Sequence, residues 1–126
     1  MTQEEKQLLL QDLSARLPYG VICTDLRHGD SKITEVNTED GLVYCPDFDE
    51  YVKVENCHLY LRPMSSMTED ERLLFYQNTL QYNEETGYSE YTYKSIDWLN
   101  AHHFDYRGLI PKGLAIEVTE DNNPYK

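Results

Sequence analysis

The chain has no long hydrophobic run. Its longest, Leu8-Leu9-Leu10, is far too short to cross a bilayer. Basic residues are few, 11 Lys and Arg against 23 Asp and Glu, and they form no cluster. The net charge of -12 divides as -7 over residues 1–60 and -5 over residues 61–126, so both halves repel a phosphate backbone. That argues against direct nucleic-acid binding by this chain and leaves basic partners open. Cysteine is scarce and odd in number: Cys23, Cys45 and Cys57 lie far apart without a CxxC spacing, a poor basis for a disulfide framework, a redox pair or a zinc knuckle. Each sits in an apolar or alternating stretch, where a free cysteine behaves as a small buried hydrophobe. The six glycines form no phosphate-cradling loop. Ser65-Ser66 lacks the flanking glycines of a nucleophile elbow, and no pair of carboxylates stands out by spacing as an acid/base couple. Spacing therefore names no catalytic residue, no metal ligand and no cofactor, and a non-enzyme is the expectation.

What is present fits one globular domain. A chain of 126 residues with 40% hydrophobic and 27% charged side chains can bury a core without staples. The N-terminus, Met1-Thr2-Gln3-Glu4-Glu5, is acidic where a secretory leader is basic, so a cytoplasmic protein is expected. Tyrosine is over-represented, with 11 copies against 3 Phe and 1 Trp. A large ring with a polar tip suits half-buried strand faces first and interface surfaces second.

Residues 2–17 predict an amphipathic helix. Thr2 and Glu5 have capping-box spacing, Leu9, Leu10, Leu13 and Leu17 make one apolar face, and Pro18 with Gly20 ends it. Residues 20–62 predict four or five short strands: one through Val21 and Cys23, a turn at Arg27-His28-Gly29-Asp30, an extended segment at Ile33 and Val36, a hairpin turn at Asp40-Gly41, then Leu42–Cys45, Tyr51–Val54 and Leu59–Leu61. This reads as a small antiparallel meander, with an SH3-like barrel and a flat sheet packed on the first helix as the two closures. After Arg62-Pro63, Thr68 and Glu71 repeat the capping-box spacing and open a second helix over about 69–82. Leu73, Leu74 and Leu80, with Phe75 or Tyr76, are its expected buried side. A polar loop over 83–92 and a third helix over about 93–103 follow, with Ile96, Leu99 and Trp98 inward. Leu114–Val118 predicts a short terminal strand, and residues 119–126 are expected to fray. The fold class is α+β: an N-terminal helix, an antiparallel meander, two C-terminal helices and a terminal strand.

Two segments carry a likeness. Leu61-Arg62-Pro63-Met64-Ser65-Ser66-Met67-Thr68 is one, and the stretch from Ser95-Ile96-Asp97-Trp98 to Gly108-Leu109-Ile110 is the other. With the opening helix and Leu17-Pro18-Tyr19-Gly20-Val21 they resemble a family of short uncharacterised proteins of gut anaerobic bacteria and their phages or prophages. The resemblance implies a bacterial or phage setting and carries over no activity and no functional residue.

The residues of interest by type are Trp98, His102, His103, Tyr106 and Arg107. Tryptophan, tyrosine and arginine are enriched in binding hot spots, so the five form a candidate interaction patch. The competing account is structural: Asp105 and Gly108 make a turn, Arg107 pairs with a nearby acid, one histidine packs under the sheet and the other is solvated at a helix C-terminus. Adjacent helical residues point about 100° apart, so His102 and His103 do not converge easily on one ion. Three functions follow in order: a protein-interaction module with a protein partner; an acidic mimic of nucleic acid that inhibits a DNA-handling protein; and an enzyme or metal protein centred on His102 and His103.

Overall fold

The structure is a computed structural model that describes residues 1–25, 27–83, 88–91 and 93–126, without the side chains of residues 76–83, 88–91 and 93. Helix α1 spans Gln3–Arg16, and its capping box forms as expected: the Glu5 N–H donates to the Thr2 hydroxyl at 3.1 Å, and the Thr2 N–H donates to the Glu5 carboxylate at 2.9 Å. A 3-10 turn at Leu17–Tyr19 leads into β1 (Ile22–Asp25) and β2 (Gly29–Lys32). Three strands follow, β3 (Glu35–Asn37), β4 (Leu42–Cys45) and β5 (Glu50–Lys53), and then β6 (His58–Leu61). The expected hairpin at Asp40-Gly41 joins β3 to β4. Gly41 is required there: its φ is +68°, and a Cβ would lie 2.7 Å from Lys6 Cε.

The strands divide into two sheets instead of one continuous meander. The first has the order β2-β1-β6 with the terminal strand beyond β6, and the second β3-β4-β5. The terminal strand β9 (Ala115–Glu117) is present as expected and pairs parallel with β6, Leu59 facing Ala115 and Leu61 facing Glu117. No closed barrel forms among the described residues. The inner faces are written in the burial alternation of β1, β4 and β6, with Cys23, Val43, Cys45, Leu59 and Leu61 pointing inward. They meet Leu9 and Leu13 of α1 in the main core, which also takes Ile33, Val54, Leu109 and Leu114. All three cysteines are free and buried there.

Helices α2 (Glu69–Thr79) and α3 (Tyr93–Ala101) frame a second, smaller core of Met67, Phe75, Leu99 and Phe104. The Thr68–Glu71 capping box forms. The expected apolar side of α2 is corrected in part. Phe75 is buried, but Leu73 and Leu74 are 53% and 52% exposed, because the side of α2 that packs on α3 is the one carrying Phe75, whose ring lies 5.6 Å from Trp98. The parts of that expectation resting on Tyr76 and Leu80 lie outside the described side chains. The helix expected over about 69–82 ends at Thr79, and β7 (Leu80–Asn83) pairs antiparallel with β8 (Tyr88–Tyr91), so residues 83 and 88–91 of the expected loop are strand, while residues 84–87 and 92 lie outside the described ones. Residues 119–126 form no helix or strand, yet the tail is tied down at Tyr125. Its hydroxyl accepts the Ile22 N–H at 3.0 Å and donates to the Tyr60 carbonyl at 2.8 Å. Among the described residues no helix is long and apolar enough to cross a membrane.

Candidate functional site

The five residues singled out by type fall in one stretch, and most are occupied with holding the fold. Trp98 is half-buried, its ring centroid 5.6 Å from Phe75, 5.7 Å from Phe104 and 4.3 Å from His102. His102 is exposed. His103 has a left-handed backbone, φ +63°, and turns the other way, stacking on Tyr125 at 3.6 Å with the planes 9° apart. The two imidazoles thus lie against different rings, and no metal-binding group of three or more His, Cys, Asp or Glu side chains occurs among the described residues. Burial pushes the His103 pKa down to about 4, with the charges of Arg16, His102 and Arg62 adding to it. The Tyr106 hydroxyl donates to Asn100 at 2.8 Å, and its ring is flanked by the guanidinium groups of Arg16 and Arg107 at 5.0 and 5.2 Å. Arg107 lies 3.1 Å from the Asp12 carboxylate, which is fully buried. The Arg16 side chain, also fully buried, donates to Asp12 at 2.7 Å and to the Phe104 carbonyl at 2.6 Å. The turn after α3 forms as its sequence suggests, with the Asp105 carboxylate accepting the Leu109 and Ile110 N–H groups.

The opposite character is found between the two sheets. Asp25 ends β1, and its Oδ1 accepts the Arg27 N–H at 2.6 Å and the His28 N–H at 3.0 Å, the side-chain turn that aspartate makes before a glycine such as Gly29. His28 then bridges to the second sheet: Nδ1 lies 3.4 Å from Asp25 Oδ1, Nε2 lies 3.3 Å from Glu50 Oε2, and the ring stacks on Phe48 at 4.7 Å. Beside this bridge is a cavity of about 450 Å³ lined by the four successive β5 residues Glu50, Tyr51, Val52 and Lys53. Asp25, Arg27, His28, Glu55, Asn56 and His58 complete the lining. Neighbouring strand residues point to opposite faces, so a cavity touched by four in a row runs along the strand edge. β5 is the edge of its sheet, and among the described residues its outer side pairs with no other strand. Desolvation raises the Asp25 pKa, but the Arg27 and His28 N–H groups and the imidazole outweigh it, and the net shift is downward, keeping the carboxylate ionised.

The outer face of β3-β4-β5 adjoins the groove. Glu35, Tyr44 and Tyr51 align across the three strands. The two rings are 4.9 Å apart, Tyr51 donates to Glu35 at 3.1 Å, and Tyr44 donates to Asp49. These hydrogen bonds to carboxylates raise both phenol pKa values. Tyr51 is 54% exposed. Sequence reasoning passed over the groove: it took Arg27–Asp30 as a turn and Asp49 and Glu50 as an acidic loop. No local signal joins them, because they meet only through the placement of one sheet beside the other. No family model, no curated protein and no solved structure matches the chain.

Proposed function

We propose that the protein is a non-enzymatic interaction module that binds an extended segment of another protein along the edge of β5. The observation that carries this reading is the groove lined by Glu50, Tyr51, Val52 and Lys53 in succession on a strand whose outer side is unpaired. An unpaired edge offers a row of backbone donors and acceptors, and strand addition uses them for affinity while alternate side chains give specificity. The cavity has the volume of an ordinary ligand pocket, enough for a few side chains of such a segment. Exposed Tyr51 beside Tyr44 supplies rigid aromatic contact area at its margin. The nucleic-acid-mimic reading calls for carboxylates in regular order on one face. The exposed acids instead are scattered over separate elements: the first turns of α1 and α2, the turns at 38–41 and 46–49, the strand residues Asp30, Glu35, Glu50 and Glu117, Asp97 of α3, and the tail.

Selection from a random octapeptide library, followed by amide hydrogen exchange of the complex, tests the proposal. Slowed exchange at Glu50–Lys53 is the expected result. A library that yields no binder, or protection confined to other elements, overturns it.

A further inference from the structure

Acidic and basic side chains both line the groove. On the floor, the Asp25 side chain is 7% exposed; its Oδ1 is engaged by backbone N–H groups, and its Oδ2 receives no hydrogen bond among the described residues. Glu50 also lines the groove, its side chain 53% exposed and its Oε2 3.3 Å from His28 Nε2. Glu55 keeps Oε1 buried without a hydrogen bond, with Lys6 Nζ 3.4 Å away. Arg27 and Lys53, on the solvent side of the lining, are exposed, and neither forms an ion pair among the described residues.

We infer that the groove selects an extended segment in which one arginine is flanked on both sides by acidic residues. This deepens the strand-addition reading above and rests on it. Successive residues of an extended segment point to opposite faces. When one side chain is aimed at the floor, its two neighbours are aimed at the mouth. The free Asp25 oxygen and the Glu50 carboxylate suit a forked guanidinium, which makes paired charge-assisted hydrogen bonds. The neighbours then meet Arg27 and Lys53. The arrangement also rejects simpler ligands: a uniformly basic segment is opposed by Arg27 and Lys53, and a uniformly acidic one by Asp25, Glu50 and Glu55.

The probe is a set of blocked, fluorescent pentapeptides, Val-Glu-Arg-Glu-Val and its variants with Arg replaced by citrulline or both Glu by Gln, measured by fluorescence polarisation and by amide hydrogen exchange. Citrulline should weaken binding about tenfold or more, as expected for loss of a charge-assisted contact in a desolvated site. The Glu-to-Gln peptide should bind several-fold more weakly to the wild-type protein and be nearly insensitive to the double substitution Arg27→Gln/Lys53→Gln. Asp25→Asn should remove most of the preference for Arg over citrulline; an asparagine oxygen still accepts the two backbone N–H groups, so the turn is kept. Equal affinity for the Arg and citrulline peptides overturns the inference, and so does affinity that follows peptide net charge alone and ignores Asp25→Asn. If all the peptides still protect Glu50–Lys53, the strand-addition reading stands and only the charge pattern fails. If none binds or protects those amides, both fall.

Discussion

The stretch around α3 and the groove beside β5 draw on the same residue types and use them in opposite ways. Around α3, Trp98, Tyr106, Arg107 and His103 are held by Phe104, Asn100, Asp12 and Tyr125. Along β5, Tyr51, Lys53 and Arg27 are exposed, and the second oxygen of Asp25 receives no hydrogen bond among the described residues. Aromatic and guanidinium groups are prominent in binding hot spots because they combine large area with directed polarity, and those properties also make them good internal clamps. What separates the two regions is exposure: the polar groups around α3 are shut in, with Arg16 Nη1, His103 Nδ1 and Arg107 Nε buried without a hydrogen bond, whereas Arg27, Tyr51 and Lys53 face solvent.

The sharpest way to break this contrast is Asp12→Ala. It strips a buried carboxylate from Arg16 and leaves that guanidinium uncompensated in the core. A loss of about 3–5 kcal/mol is expected, read as the drop in unfolding free energy in urea. A change below about 1 kcal/mol would mean the network is not structural after all. Tyr125→Phe comes next: it removes the hydroxyl that joins Ile22 and Tyr60 but keeps the ring on His103. The expected loss is about 1–3 kcal/mol, and faster proteolysis within the tail should accompany it.

A pH titration of stability sharpens the same side of the comparison. His103 falls from its ordinary 6.5 to about 4 in the folded protein, so the unfolded chain binds its proton first. The His103 contribution is therefore complete above pH 6.5 and is lost as pH falls from 6.5 towards 4. Glu71, held by Arg62 at 2.7 Å and brought down to about 2, adds a separate loss between pH 4.5 and 2. Thermal melts of His103→Gln should flatten the upper window, and those of Glu71→Gln the lower one. An unchanged profile in either variant would remove that residue from the account. The smallest effects belong to the groove. Arg27→Gln and Lys53→Gln should each stay within about 0.5 kcal/mol of the wild type in the same urea experiment, while changing peptide binding. A larger stability loss would make the groove another internal joint.

The features legible in the sequence were those set by near neighbours. Thr2 with Glu5 and Thr68 with Glu71 place two helix starts, Asp40-Gly41 places a hairpin, and Asp105 with Gly108 marks the turn after α3. Sheet membership was not legible. Nothing local tells β1 to pair with β6, or β6 to take β9 in parallel across more than fifty residues, and so the split into two sheets was missed. The exposure of Leu73 and Leu74 was missed for a related reason: helical spacing defines a face but not whether anything covers it. The groove belongs to the same class. Asp25 and Glu50 are ordinary strand-end residues, and His28 an ordinary turn residue, until one sheet is set beside the other.

The bond from Arg16 to the Phe104 carbonyl spans 88 positions, and this bears on biosynthesis. While the ribosome has released only the first hundred residues, Arg16 has Asp12 but neither Phe104 nor the second guanidinium at Arg107. β6 likewise waits for β9 with one edge bare. The emerging polypeptide keeps an unfinished sheet and a half-satisfied charge until residues 104–117 have emerged. Its native state is therefore sealed by the late segments, and the interval before they emerge is when the chain most needs protection from self-association.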